Sequence, residues 1–168
     1  MAYGEVMSDA SEDPGAARDA AGERTSISVE REIPADPAAI FALLNDPSGH
    51  IVLDGSGTVR ESIAGNPTTM HLGSTFKMGM HLGVPYRMTN TIVEWEQDRR
   101  IAWQQGWGKH IWRYELTPTA AGTLVRETFD WTTGRTTFVL KLIKAETRNR
   151  VSMEATMDRL EAHFTSSV

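Results

Sequence analysis

Cysteine is absent from this 168-residue chain, which excludes disulfide staples, zinc–thiolate centres and thiol nucleophiles. A basic excess is missing as well. Against 22 Asp and Glu stand 17 Lys and Arg, so nucleic-acid binding loses its main electrostatic support. No apolar run approaches the roughly 18 residues that a membrane-spanning helix requires. The opening MAYGEVMSDASEDPG has no basic start and no apolar segment. A secretory signal is therefore not expected, and a cytoplasmic protein is. The chain has no HxH or HExxH spacing, no GxGxxG or GKS/T loop and no GxSxG elbow, so no metal, cofactor or serine nucleophile is expected.

What is present suffices for one domain with a core, since 40% of residues are hydrophobic. The charge is unevenly placed. Residues 1–24 carry six acids and two bases, which leaves residues 25–168 near neutral at −1. That acidic, Ala- and Gly-rich stretch shows no apolar period and reads as a disordered tail. Order is expected from TSISVEREI, where Ile27, Val29 and Ile33 share one parity. In PADPAAIFALLND, Asp36 stands at an N-cap with Pro37 at the first helical position, and Asp46-Pro47 predicts a second short helix running to about Leu53. Six strands are then expected at 58–63, 74–81, 85–95, 100–106, 110–117 and 123–132, separated by turn residues. From Phe138 through Leu142, Ala145, Asn149, Met153, Met157 and Leu160 to Phe164, spacings of three or four predict one amphipathic helix over 136–164.

Strands followed by a helix argue for an α+β fold, with the helix packed on one face of a curved antiparallel sheet of about seven strands. The phrases IPADPAAIFALLNDPSGH, HIVLDGSGTVRES, IVEWEQDRRIAWQ and YELTPTAAGTLVRETFDW resemble the START-like, birch-pollen-allergen-like helix-grip superfamily. Its polyketide cyclase/dehydrase and lipid-transport branch is the most similar. The resemblance spans roughly residues 26–165. It implies a small hydrophobic ligand held in a cavity between sheet and long helix, in a monomer or homodimer.

The stretch WQQGWGKHIWRYEL holds three of the five tryptophans. A turn centred on Trp107-Gly108 would pair Trp103 with Trp112, Ile101 with Tyr114, and Gln105 with His110, whereas one at Gly108-Lys109 would pair Trp103 with Tyr114; either leaves the same residues on one face. Trp103, Gln105, His110, Trp112 and Tyr114 then share an inward face, and Arg113 and Glu115 face outward. Phe76, Met78 and Met80 share one parity in FKMGMHLG; Glu127, Phe129 and Trp131 share another in RETFDW. With Phe41 on the first helix and Asn149 and Met153 on the long one, Phe76, Met78, Met80, Trp103, Gln105, Trp112, Tyr114, Phe129 and Trp131 form the expected ligand-binding wall. Each is equally suited to plain core packing.

Candidates for acid–base chemistry are fewer. His50 and Asp54, four apart in HIVLDGSG, can meet on a helical turn, where the carboxylate orients the imidazole. His110 lies at the loop end of the aromatic face and is expected to be a partly exposed rim group. Glu127 is expected to be inward and paired with Arg31. Two functions stand open: binding or transport of a small hydrophobic molecule, or an aromatase/cyclase- or dehydratase-type reaction in the same cavity. An interaction module working through the acidic tail is a third reading, supported by tail charge alone.

Overall fold

The computed structural model describes Arg18, residues 25–133 and residues 145–166. The rest of the expected tail and residues 136–144 of the expected helix lie outside the described residues. Strand β1 (Ser26–Ile33) is followed by α1 (Pro37–Leu44) and α2 (Gly49–Leu53). Six strands follow: β2 (Val59–Ser62), β3 (Thr75–Leu82), β4 (Val84–Glu96), β5 (Arg100–Gln105), β6 (Ile111–Pro118) and β7 (Thr123–Asp130). Helix α3 (Ala145–Thr165) follows. Every neighbouring pair is antiparallel, in the order β1-β7-β6-β5-β4-β3-β2. Short turns join β3 to β7 in sequence, a longer connection over residues 63–74 joins β2 to β3, and the seventh strand closes back on the first. Register shifts at Val59/Glu61 and Ile92/Glu94 bend the sheet.

Helix α1 starts at its proline as expected, and α2 does not. Asp36 occupies the N-cap in extended conformation, yet its side chain caps nothing. The fixed φ of Pro37 and the Asp36 carbonyl, which accepts from Ala39 and Ile40, begin α1 instead. Helix α2 begins at Gly49 rather than Asp46, because the Asp46 carboxylate accepts the Ser48 amide at 2.8 Å and closes a local turn first.

Period-two alternation decides which strand residues are buried. Ile27, Val29, Ile33, Phe76, Met78, Ile92, Ile101, Leu116, Val125 and Phe129 form the inner face. They pack with Ile40, Phe41 and Leu44 of α1 and Met153, Met157 and Leu160 of α3. Helix α3 lies on β1 and α2, so this side of the inner face is filled. Across the sheet, Met80, Met88, Trp103, Gln105 and Trp112 remain only half-buried. That half of the inner face is less covered by the described residues.

Arg31, expected beside Glu127, instead reaches α3. It binds Asp158 at 2.8 Å and Glu161 at 2.9 Å, with Glu154 at 3.6 Å. Three acids one helical turn apart on α3 present a better-solvated partner than a buried carboxyl does. Because all four side chains keep solvent contact, Arg31→Met is expected to cost about 1 kcal/mol or less at low salt. The difference should shrink towards zero in molar salt, as read by urea titration at both ionic strengths.

Candidate functional site

The β5–β6 hairpin takes the first of the two expected registers: Ile101 opposes Tyr114 and Trp103 opposes Trp112. The Gln105 amide donates to the His110 carbonyl at 2.9 Å, closing a four-residue loop in which Lys109 adopts φ 60°. Trp107, at the loop tip, is 87% exposed. The next pairing, β6 with β7, sets Tyr114 opposite Glu127 and Trp112 opposite Phe129. Two adjacent rows of the inner face therefore carry aromatic rings and one carboxyl group.

Glu127 is the chemical centre of this arrangement. It is 3% exposed, and the Tyr114 hydroxyl donates to its Oε1 at 2.7 Å. Its Oε2 has no hydrogen-bond partner among the described residues. Burial pushes its pKa up to about 8; the Tyr114 hydrogen bond opposes the shift, and the charges of Asp54 and Glu154 reinforce it. At neutral pH the group is mostly the neutral acid. With the phenol donating to Oε1, a proton on Oε2 would be free to meet a ligand. Burial, with the neighbouring carboxyl, pushes the Tyr114 phenol well above its ordinary value, so it acts as a donor and not as a base.

Aromatic rings enclose the pair. Trp103 stacks on Tyr114 with centroids 5.6 Å apart. It also contacts His50 at 4.6 Å and Phe76 at 6.1 Å. Trp112 leans on Phe129 at 4.6 Å, and Phe129 on Trp131 at 5.4 Å. A second orphaned group, the Asn90 Oδ1, is 4% exposed on β4, between the positions paired with Phe76 and Gln105.

The other expected site residues divide. Met78 and Met153 are buried in the core, Met80 and Asn149 are half-buried, and Phe41 packs edge-on to Trp95 at 5.7 Å. The His50–Asp54 pair is not formed. His50 spends Nε2 on the Leu44 carbonyl at 2.8 Å, and Asp54 binds the Ser56 amide and hydroxyl and the Val59 amide. Burial lowers the His50 pKa, against the Leu44 bond and the charges of Asp46 and Asp54. His110, expected at an exposed rim, is buried against Phe129 at 5.4 Å. Burial lowers its pKa too.

Sequence parity identified Glu127 as inward but assigned it the wrong partner. Asn90 was missed, although its parity with Phe76's partner position and with Ile92 marks it as inward. On the outer face, Glu30, Arg113, Glu115, Thr117, Leu124, Arg126 and Thr128 line a concavity of about 360 Å³. Its charges are compensated there: Arg113 holds Glu94 through three contacts of 2.6–3.1 Å, and Arg126 binds Glu30.

A bent seven-stranded antiparallel sheet holding a long helix, with two short helices after the first strand, is the helix-grip fold. Residues 24–165 match the family model described as polyketide cyclase / dehydrase and lipid transport, and the chain belongs to that family. It is similar to an uncharacterised protein, Rv0088, of Mycobacterium tuberculosis, at 43% identity over 117 residues. That match takes in 67% of this chain and 50% of the relative, so the chain spans about half the length of the curated relatives it matches. Among solved structures, Ms6760 from Mycobacterium smegmatis superposes with a TM-score of 0.67 at 12% identity, covering 91% of this chain and 98% of that one. The Aha1 dimer from Colwellia psychrerythraea gives 0.58 at 19% identity, covering 81% and 96%. Among the described residues, no helix is long and apolar enough to cross a membrane.

Proposed function

We propose that the chain binds a small, largely apolar molecule between the inner sheet face and α3. The ligand's rings or chain lie against Trp103, Trp112 and Phe76, and its oxygenated end meets Glu127. The carrying observation is the Glu127 Oε2, a buried carboxyl oxygen with no partner among the described residues, set in a wall of aromatic rings. A group of that kind is costly to bury unless a partner hydrogen-bonds to it. The half-buried state of Trp103 and Trp112 on an inward face supports room for the ligand.

The reading predicts that a sterol, a long-chain alcohol or an anthraquinone quenches tryptophan emission. Trp103→Phe should remove most of that response while calorimetry still registers binding. An unquenched emission spectrum across all three, with no heat of binding, would reject it. The neutral acid also supports a second reading, in which the bound molecule is a β-ketone that is dehydrated or cyclised. In ring closure the ligand's enol carbon would bond to a carbonyl carbon, Glu127 would give its proton to that carbonyl oxygen as it becomes a hydroxyl, and the enol O–H proton would return to the carboxylate held by the Tyr114 phenol. Mass spectrometry of the recovered ligand separates the two: unaltered ligand marks a carrier, altered ligand an enzyme.

A further inference from the structure

Residues at a hairpin tip are ordinarily polar, and those of the β3–β4 tip are not. Leu82 opposes Val84 across a tight turn at Gly83, which takes φ 74°, and Met80 opposes Tyr86 behind them. Met80 and Leu82 continue the parity of the buried Met78, so an apolar stripe runs from the core to the end of the hairpin. There it meets solvent: Leu82 is 57% exposed and Val84 67%. The β5–β6 loop leaves the same end of the sheet, tied to β4 by the Gly106 amide on the Thr89 carbonyl, and carries the exposed Trp107. Bases stand behind these tips. Arg87 follows Tyr86 on β4, Lys109 follows Trp107 by two residues, and Arg60 lies on β2 beside β3. Arg31, Arg99, Arg100, Arg113 and Arg126 are held by acids. Arg60, Arg87 and Lys109 have no ion pair among the described residues. Glu61, the acid nearest to Arg87 in register, lies across Gly79 instead. Residues 134–144 contain three bases and no acid, so they bring no counter-charge.

We infer that this end of the molecule docks on an anionic membrane surface, with Leu82, Val84 and Trp107 entering the interface and Arg60, Arg87 and Lys109 meeting lipid phosphates. The order along the hairpin matches the order of a bilayer. At about 3.3 Å per strand residue, Arg87 stands about 10 Å behind Val84. A peripheral segment reaches about 5–10 Å into the boundary of headgroups and acyl chains. Apolar tips therefore reach hydrocarbon while the guanidinium stays among the phosphates, and Trp and Tyr rings favour the layer between. A projecting tip offers a folded partner few walls to pack on, whereas a fluid surface closes around it. The chain's net charge of −5 does not oppose this docking. Charges more than about 8–10 Å away are largely screened at physiological salt, so the bases at this end govern.

The test mixes the full chain, without ligand, with vesicles of phosphatidylcholine alone or of phosphatidylcholine with phosphatidylglycerol. The chain should sediment with the anionic vesicles at low salt, only weakly with the neutral ones, and come off in molar salt. Binding should shift tryptophan emission to the blue, and Trp107→Phe should remove most of that shift. Arg87→Glu should weaken anionic binding by roughly tenfold or more and leave neutral binding alone. Leu82→Ser together with Val84→Ser should weaken anionic binding by about a hundredfold. All of these side chains are exposed, so the fold tolerates the changes. No sedimentation with anionic vesicles, or binding that the Arg87 and Leu82/Val84 variants leave unchanged, would overturn the proposal. So would a dimer, seen by light scattering without vesicles, that the Leu82/Val84 variant dissociates, since the tip would then belong to a second copy.

Discussion

Glu127→Gln is expected to leave stability nearly unchanged in acid and to raise it by about 5 kcal/mol at around pH 9. The sign follows from where the proton binds. In the folded chain the carboxyl titrates at about 8, against an ordinary value of 4.5. Below 4.5 both states hold the proton and the group contributes no penalty. Between 4.5 and 8 the unfolded chain releases its proton while the folded one keeps it, so stability falls steadily across that window. Above 8 the loss is complete. Glutamine keeps the shape, keeps an acceptor for Tyr114 and cannot ionise, so the variant escapes the loss. Against a typical total of about 5–15 kcal/mol, the effect should move the alkaline melting temperature by roughly 10 °C or more. His50 and His110 are held below their ordinary pKa by burial. They contribute stability above about 6.5 that is lost in acid, but equally in both proteins. The variant-minus-parent difference, measured by denaturant titration at several pH values, therefore isolates Glu127. Parallel curves from pH 4 to about pH 9 would mean the carboxyl is ionised in the fold, and the acid–phenol pair would lose its meaning.

How much of this was legible beforehand follows from dimensionality. Pairing along the sheet is a one-dimensional problem with period two, so the shared face of Trp103, Trp112 and Tyr114 was legible, while their partners stayed open between two turns until the register set Trp103 against Trp112. The same parity turned Glu127 inward. Contacts between layers are a different problem. Whether Arg31 meets Glu127 or the acids of α3 depends on the height and rotation of a helix more than a hundred residues away, and no local period encodes that. The His50–Asp54 expectation failed for a related reason. Four-residue spacing makes a pair only if the helix persists. Here α2 ends at Leu53, so Asp54 turns away to hold the next loop. The inward aromatic face was legible from parity, and the place of Asn90 between Phe76 and Gln105 only once β3 and β5 were set beside β4.

That next loop, DGSG, carries the second large effect. Gly55→Ala is expected to destabilise the protein by about 3 kcal/mol, and Gly57→Ala by only about 1 kcal/mol. As letters the two glycines are equivalent turn signals, but they serve different ends. Gly57 sits at φ +67° with open space where a side chain would go, so alanine there meets only backbone strain. Gly55 lies flat on α3. A Cβ there would press into the Ser152 carbonyl oxygen and the Thr156 amide nitrogen, with the Ala155 carbonyl carbon at 2.7 Å. None of these is a side chain that can rotate aside. The contact is also tied down, since the Gly55 amide donates to the Thr156 hydroxyl at 3.0 Å. Alanine must therefore lift either the loop or the helix. Lifting the loop carries Asp54 and the end of α2 with it, and so loosens the lid that sets His50 against Trp103. Guanidinium midpoints of the two variants supply the comparison. Equal losses would mean the close approach of loop and helix is not rigid. A loss at Gly55 several times that at Gly57, with a red-shifted tryptophan emission, would show that this one backbone contact holds α2 and α3 together.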